Sequence, residues 1–348
     1  MTAPTSACPK KMTYGPCGDV GGDGSCEVPT EAGGPPRCVF LDVAPRLDVA
    51  LRADASRRSQ PALSRTAQGT DRPFIMSELP EDANSSTDIR RVARRLAGSV
   101  DAVLFGDANW MRVRLPPSYR ARLVQDEGLG AWPGLNARDR NRVALESELL
   151  ALADIGVAGV HCVTGNHTHS GNRPDAMPVF DLDSTRLASL ATGVGLRVSV
   201  AASPHTPPVS MRPMRTADKA AAGASVCMID QPSSPIEVGT FIESTRSLGA
   251  DSMTFLAVVS VVLGRDDFER WRQYPNVRIP AGWAEAIEAS DDVGETGRSL
   301  ALSMSRRLLA VPGVTGVLLA STAAPSRCDE VADTFASLAR DLKATTKA

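Results

Sequence analysis

From residue 72 onward, short apolar runs alternate with longer amphipathic stretches. The runs Pro73–Glu78, Asp101–Gly106, Gly134–Ala137, Gly159–Thr164, Leu196–Ala202, Val226–Asp230, Met253–Val258 and Val317–Ser321 each end in polar or turn residues. That pattern predicts strands buried on both faces. The stretches between them predict helices over Asp88–Ala97, Arg140–Ile155, Ser184–Ala191, Ala217–Ala222, Ile236–Leu248, Gly297–Ala310 and Asp329–Leu342. Arg140–Ile155 is the clearest, with Val143, Leu145, Leu149, Leu150 and Leu152 on one apolar face and Gly156 as its stop. Eight strands alternating with helices fit an α/β fold of the (β/α)8 TIM-barrel type. A doubly wound open sheet is the competing arrangement, but no G-x-G-x-x-G follows the first strand.

The front of the chain breaks this pattern. Cys8, Cys17, Cys26 and Cys38 fall in a Gly- and Pro-rich segment, while Cys162, Cys227 and Cys328 lie in the later apolar runs. The segment is too short and too polar to build a core alone. Four thiolates around a metal would supply the missing stability, with Zn2+ or a [4Fe-4S] cluster using the same ligands. Two disulfides, or four unrelated thiols, are the alternatives. The reading divides the chain into a four-cysteine metal-binding module with its extension (1–53), a Ser/Arg/Ala/Gln-rich linker (54–72) and the barrel (73–348). In the extension, Leu41–Ala53 alternates apolar and polar residues, as expected of a stretch packing on the main domain.

Composition narrows the function. The chain has 348 residues, 43% hydrophobic, 22% charged and 4% aromatic, with a net charge of -2. A near-neutral balance without a basic run argues against a nucleic-acid or membrane-surface partner. There is no apolar stretch of membrane-spanning length and no apolar signal core among the first thirty residues, so a cytoplasmic location with reduced cysteines is expected.

In a (β/α)8 barrel the chemistry sits where the strands end. Those ends carry Glu78, Asp107, Asn136 and Arg138, Asn166 and His167, Ser203 and His205, Asp230 and Gln231, Ser260, and Ser321. Glu78 closes the apolar run Phe74-Ile75-Met76-Ser77, where partial desolvation would raise its pKa and suit it to donate a proton. Thr164-Gly165-Asn166-His167 reads as a tight turn whose backbone N–H groups could hold a ring or phosphate edge. His161, His167 and His169 lack a suitably spaced carboxylate for a metal site, and Arg138–Arg142 reads as a self-paired charge cluster.

Several of these residues carry a resemblance. The stretch Ala137-Arg-Asp-Arg-Asn-Arg-Val-Ala-Leu-Glu-Ser-Glu-Leu-Leu, then Cys162-Val-Thr-Gly-Asn-His, Pro178-Val-Phe-Asp-Leu-Asp-Ser184, Lys219-Ala-Ala-Ala-Gly-Ala224 and Gln231 resemble the methylenetetrahydrofolate reductase family. Pro275-Asn-Val-Arg-Ile-Pro280 and Gly313-Val-Thr-Gly-Val317 extend the match, and the cysteine segment resembles a small module associated with that family. The resemblance implies a barrel binding a flavin (FAD or FMN) and a reduced folate. It implies reduction of 5,10-methylenetetrahydrofolate to 5-methyltetrahydrofolate through the flavin, with NAD(P)H or an electron-transfer protein as donor and a possible homo-oligomer. By the same resemblance Glu78 is the acid that opens the folate ring. Gln231, with Asp230, Asp107 and Asn166, contacts the folate. Thr164, Gly165, Asn166, His167, Ala202, Ser203 and Lys219 hold the flavin.

The chain also departs from the family. Asn166 replaces the aspartate of the family's Gly-Asp turn, Gly134 and Ser203 thin the expected flavin wall, and Glu81 replaces the second proline of its Glu-x-Pro-Pro signature. Folate features therefore survive better than flavin features. Two alternatives to the reductase follow: a flavin-poor transferase of the folate's methylene group, and a non-catalytic folate-binding partner subunit.

Overall fold

The computed structural model describes residues 7–30, 33–43, 72–80, 85–107, 113–274 and 276–344. Eight parallel strands close into a barrel in chain order. They are β1 (Phe74–Glu78), β2 (Ala102–Phe105), β3 (Gly130–Asn136), β4 (Val160–Val163), β5 (Val198–Ala202), β6 (Val226–Ile229), β7 (Thr254–Ser260) and β8 (Val314–Ala320). β8 returns to β1 through pairs running from Phe74–Gly316 to Ser77–Leu319. Helices α1 (Ser86–Leu96), α2 (Pro117–Asp126), α3 (Arg142–Asp154), α4 (Ser184–Gly193), α5 (Arg212–Ala221), α6 (Pro235–Arg246), α7 (Arg265–Arg272), α8 (Trp283–Glu288), α9 (Val293–Leu309) and α10 (Cys328–Ala344) lie between and after the strands. The expected (β/α)8 barrel is the observed fold.

Alternation along each strand separates two cores. Outward residues such as Ile75, Val103, Leu135, Val200 and Val317 pack against the helices. Inward residues Met76, Ala102, Trp132, Val226, Met228, Leu256, Val258 and Leu318 fill the barrel. Trp132 dominates that interior. Its indole Nε1 donates to Ser199 Oγ at 2.9 Å, and the Ser199 hydroxyl also meets His161 Nδ1 at 2.9 Å. A Cβ at Gly159 would stand 2.4 Å from Trp132 Cζ2, so the indole requires a glycine there. Many of the helices start where a side chain answers a free backbone N–H: Ser85, Asn141, Asp183, Ser234 and Asp292 act as N-caps.

The structure departs from the sequence pattern in places. That pattern does not anticipate α2, α7 and α8. α2 buries Arg120 on its inner face, and that breaks its apolar periodicity. α5 starts at Arg212, earlier than Ala217, because Arg212 and Arg215 are buried on what reads as a polar turn. β3 runs from Gly130, since its small and polar inward residues hide a strand.

The N-terminal segment is irregular, with one antiparallel bridge between Ser25 and Arg37. Met12, Tyr14, Val20, Val28 and Phe40 are buried in it. Leu41 packs within the segment, where Gly24 leaves room for it. The rest of the expected extension and almost all of the linker, residues 44–71, lie outside the described residues, as does Glu81.

Candidate active site

Strand parity decides which side chains reach the barrel mouth. Glu78 lies two residues beyond the inward Met76, Asp230 two beyond Met228, Ser260 two beyond Val258, and Asn136 four beyond Trp132. All four line one cavity of about 480 Å³ at the carboxyl ends of the strands, a size ordinary for small-molecule sites. Enclosure by protein raises the pKa of Asp230, with His205 opposing that rise. Gln231, adjacent in sequence, has a left-handed backbone (φ 35°). Its side-chain carbonyl accepts from Trp271 Nε1. Gln231 still borders the cavity, but Asp230 holds the inward position.

The N-terminal segment forms one wall of this cavity, with Met12, Pro16, Cys17, Gly18 and Asp19 on it. Its anchor is Lys10, fully buried, whose Nζ meets Asp19 Oδ2 and Glu27 Oε1 at 2.6 Å each. Burial alone would lower the Lys10 pKa. The charges of Asp19, Cys17 and Glu27 outweigh that and hold it well above its usual value. The two carboxylates also reach the turn after β4. Asn166 Nδ2 donates to Asp19 Oδ1 at 2.8 Å and to Glu27 Oε2 at 3.4 Å, and the His167 backbone N–H donates to Glu27 Oε1 at 2.9 Å. Further ties run from Arg212 Nη1 to Cys17 O at 2.7 Å, from Asn276 Nδ2 to Val20 O at 2.8 Å, and from Thr13 N–H to Asp183 Oδ2 at 3.2 Å.

This docking engages two of the expected flavin contacts. Asn166 and the His167 amide are engaged by Asp19 and Glu27. A Cβ on Gly18 would stand 3.6 Å from Ser203 Oγ. Lys219 Nζ donates to Ala201 O at 2.8 Å, and its pKa is down to about 8, chiefly from burial and then from Arg215. Thr164 Oγ1 accepts from Ser184 N–H at 3.1 Å. Of the residues expected to hold a flavin, Asn166 and His167 thus bind the chain's own N-terminal segment, while Thr164, Gly165, Ala202, Ser203 and Lys219 border the cavity. The Asn166 substitution gains a reason. Two carboxylates already stand at this turn, and only an amide can donate to both.

The expected four-cysteine metal centre is not assembled among the described residues. All four thiols are free. Cys8 and Cys38 are among the groups acting on Cys26, whereas Cys17 is surrounded by Lys10, Asp19 and Glu27, and burial pushes its pKa up to about 12. Among the described residues, no group of three or more His, Cys, Asp or Glu side chains is arranged to hold a metal ion. The segment is held on the barrel by the contacts of Lys10, Asp19, Glu27, Cys17 and Val20 described above. Asp107, expected to contact folate, is tied to Arg120 at 2.6 Å and Arg140 at 3.1 Å.

Sequence reasoning missed several residues here. Lys10, Arg120, Arg212 and Arg215 look like surface charges but are buried. Glu237 lies 3.6 Å from His205 Nδ1. Burial would raise its pKa, yet His205 and the Ser233 amide and hydroxyl bring it down to about 2. The Ser234 N-cap, followed by Pro235 at the first helical position, is the sequence signal for Glu237's place in a first helical turn.

Fold and site together define a (β/α)8 barrel whose open end is walled by an irregular cysteine-bearing segment. Residues 1–64 match the family model described as "Methylene-tetrahydrofolate reductase C terminal". The likeness expected of the cysteine segment is thus found over those residues. No curated protein matches the sequence. Among solved structures, an uncharacterized protein from Clostridium thermocellum, described as binding two copies of 5-methyl-5,6,7,8-tetrahydrofolic acid, is similar with a TM-score of 0.59. The identity is 15%, over 81% of this chain and 100% of that one. A tryptophan synthase structure from M. tuberculosis has a TM-score of 0.49 at 10% identity, over 80% of this chain and 94% of that one. At 15% identity the likeness to the first of these concerns the fold. Among the described residues no helix is long and apolar enough to cross a membrane.

Proposed function

We propose that the barrel mouth binds a reduced folate and that the chain acts on its one-carbon unit, as a methylenetetrahydrofolate reductase-like enzyme that works without flavin. The observation that carries this reading is the convergence of Glu78 and Asp230 on one cavity at the strand ends. The family match of residues 1–64 supports it, as does a fold shared with a tetrahydrofolate-binding protein. Glu78 protonates the bridged nitrogen of 5,10-methylenetetrahydrofolate and opens the ring to an electrophilic iminium. Asp230 accepts hydrogen bonds from the pterin edge and fixes its orientation. Reduction to 5-methyltetrahydrofolate then requires hydride from a diffusible donor such as NAD(P)H entering the same mouth.

One observation favours a second reading, methylene transfer to a nucleophile. At the turn after β4, Asn166 and the His167 amide are engaged by the N-terminal segment, which takes these two groups from a flavin-dependent redox step. One experiment separates the two. Purified protein is mixed with 5,10-methylenetetrahydrofolate and NADH or NADPH, and nucleotide absorbance and folate products are followed together. Nucleotide oxidation matched by 5-methyltetrahydrofolate supports the reductase. Folate binding by calorimetry without nucleotide oxidation supports the transferase, and no folate binding overturns both.

A further inference from the structure

The loops after β2 and β3 build a wall of this cavity that neither proposed reaction uses. Four guanidiniums stand at this wall with two carboxylates: Arg114, Arg138, Asp107 and, from the first turns of α2, Arg120 border the cavity, and Arg140 and Asp139 join them through ion pairs to Asp107 and Arg138. Asp107 is held through both oxygens, by Arg120 at 2.6 Å and Arg140 at 3.1 Å. Arg138 grips Asp139 at 2.7 Å and 2.6 Å and also donates to Asp107 O at 3.0 Å. Cations therefore outnumber carboxylates at this wall.

Among the described residues, the buried donors Arg120 Nε, Arg140 Nη1 and Asn136 Nδ2 meet no acceptor. Asn136 and Arg120 are only 2% and 3% exposed, and both border the cavity. Asn136 Oδ1 is already used by the Asp139 amide at 3.1 Å. The Arg120 side chain is fixed by Gly106 O at 3.2 Å and by the Phe105 ring, 5.1 Å from the guanidinium carbon. An enclosed surface with surplus positive charge and only donors to spare is complementary to an oxyanion.

We infer that this wall is an anion subsite that takes the carboxylates of a folate's glutamate tail. The assignment rests on the folate reading above. With the pterin between Glu78 and Asp230, on β1 and β6, the anionic tail is left to run along β2 and β3. Those strands follow β1 directly in the barrel.

The test is a calorimetric titration of the full chain with three probes. They are 6-methyltetrahydropterin, which has no tail, 5-methyltetrahydrofolate, and its triglutamate. Wild type is expected to bind them with increasing affinity. Arg140→Gln is expected to weaken both folates about tenfold or more, the scale of one charge-assisted hydrogen bond, and to leave the tail-less pterin unchanged. Arg140→Lys, which keeps the charge, is expected to recover part of the loss. Equal binding of all three probes, or equal weakening of all three by Arg140→Gln, would overturn the subsite. So would tight binding of inorganic pyrophosphate that Arg140→Gln abolishes while folate affinities stay put, because the wall would then serve a phosphate. Failure of every pterin probe to bind is a separate result, which overturns the folate reading and this subsite with it.

Discussion

Asn166→Asp restores the residue that the related family carries at this turn, and here it is expected to loosen the cavity wall. The amide Nδ2 now donates to Asp19 Oδ1 at 2.8 Å and Glu27 Oε2 at 3.4 Å. An aspartate at the same place loses a hydrogen bond to a charged acceptor, worth about 1.5–3 kcal/mol. It also adds a third carboxylate beside two, and like charges about 4 Å apart repel by about 4 kcal/mol at an effective dielectric of 20. Lys10 offsets part of that repulsion, so about 3 kcal/mol is expected overall, or about a hundredfold in the closed-to-open ratio of the segment. Native-state hydrogen exchange reads this at the His167 amide, which donates to Glu27 Oε1 at 2.9 Å across the docking surface. The sign with pH follows. Neighbouring carboxylates raise the new group's folded pKa above its unfolded value. The penalty is therefore complete above the raised pKa and disappears as pH falls towards the ordinary aspartate value. Unchanged exchange at neutral pH would refute the account of this turn.

Other substitutions probe the rest of the site. Glu78→Gln should keep folate affinity while turnover falls by about 10²-fold or more, the usual size of general acid catalysis; steady-state rates at near wild-type level would remove Glu78 from the chemistry. Burial, and then the charge of Lys219, take the His161 pKa from 6.5 down to about 3. Between those values the unfolded chain holds a proton that the folded chain lacks, so stability falls on acidification by up to about 1.4 kcal/mol per pH unit. Urea midpoints of His161→Gln should fall less steeply over that window, and parallel profiles would contradict this. Gly159→Ala forces a methyl against the buried Trp132 indole and should cost about 1–3 kcal/mol of stability, read as a lowered urea midpoint with unchanged slope. An unchanged midpoint would mean that the indole is free to move.

The barrel was legible because its strands are buried on both faces and read as apolar runs wherever the inward residues are apolar. β3 was faint because its inward positions are Trp132, Gly134 and Asn136, which serve a close backbone approach and a polar mouth. A Cβ at Gly134 would come within 3.2 Å of Gly106 Cα, so the missing side chain reflects packing of β3 on the loop after β2. Glu78 and Asp230 could be found because each ends an apolar run. Lys10, Arg120, Arg212 and Arg215 could not, since a buried cation is recognisable only with its distant partner. Arg212, for example, meets Cys17 O across 195 positions of sequence. The cysteine spacing suggested a metal because no apolar core was visible in the segment. Its support is a barrel surface formed by residues far along the chain.

That separation has a consequence for how the protein is made. Lys10, Asp19 and Glu27 leave the ribosome early, while Asn166 and Asn276, the groups they or their neighbours bind, follow 147 and 256 positions behind their partners Asp19 and Val20. At about 5–20 residues per second the wait for Asn276 is roughly 13–50 s. Throughout that interval the early charges are hydrated. Closing so long a loop is entropically slow and must follow assembly of the later strands. Each newly made molecule therefore passes through a stage with a formed barrel and an open mouth, and the pulse-labelled His167 amide should gain protection after those of β1 and β2.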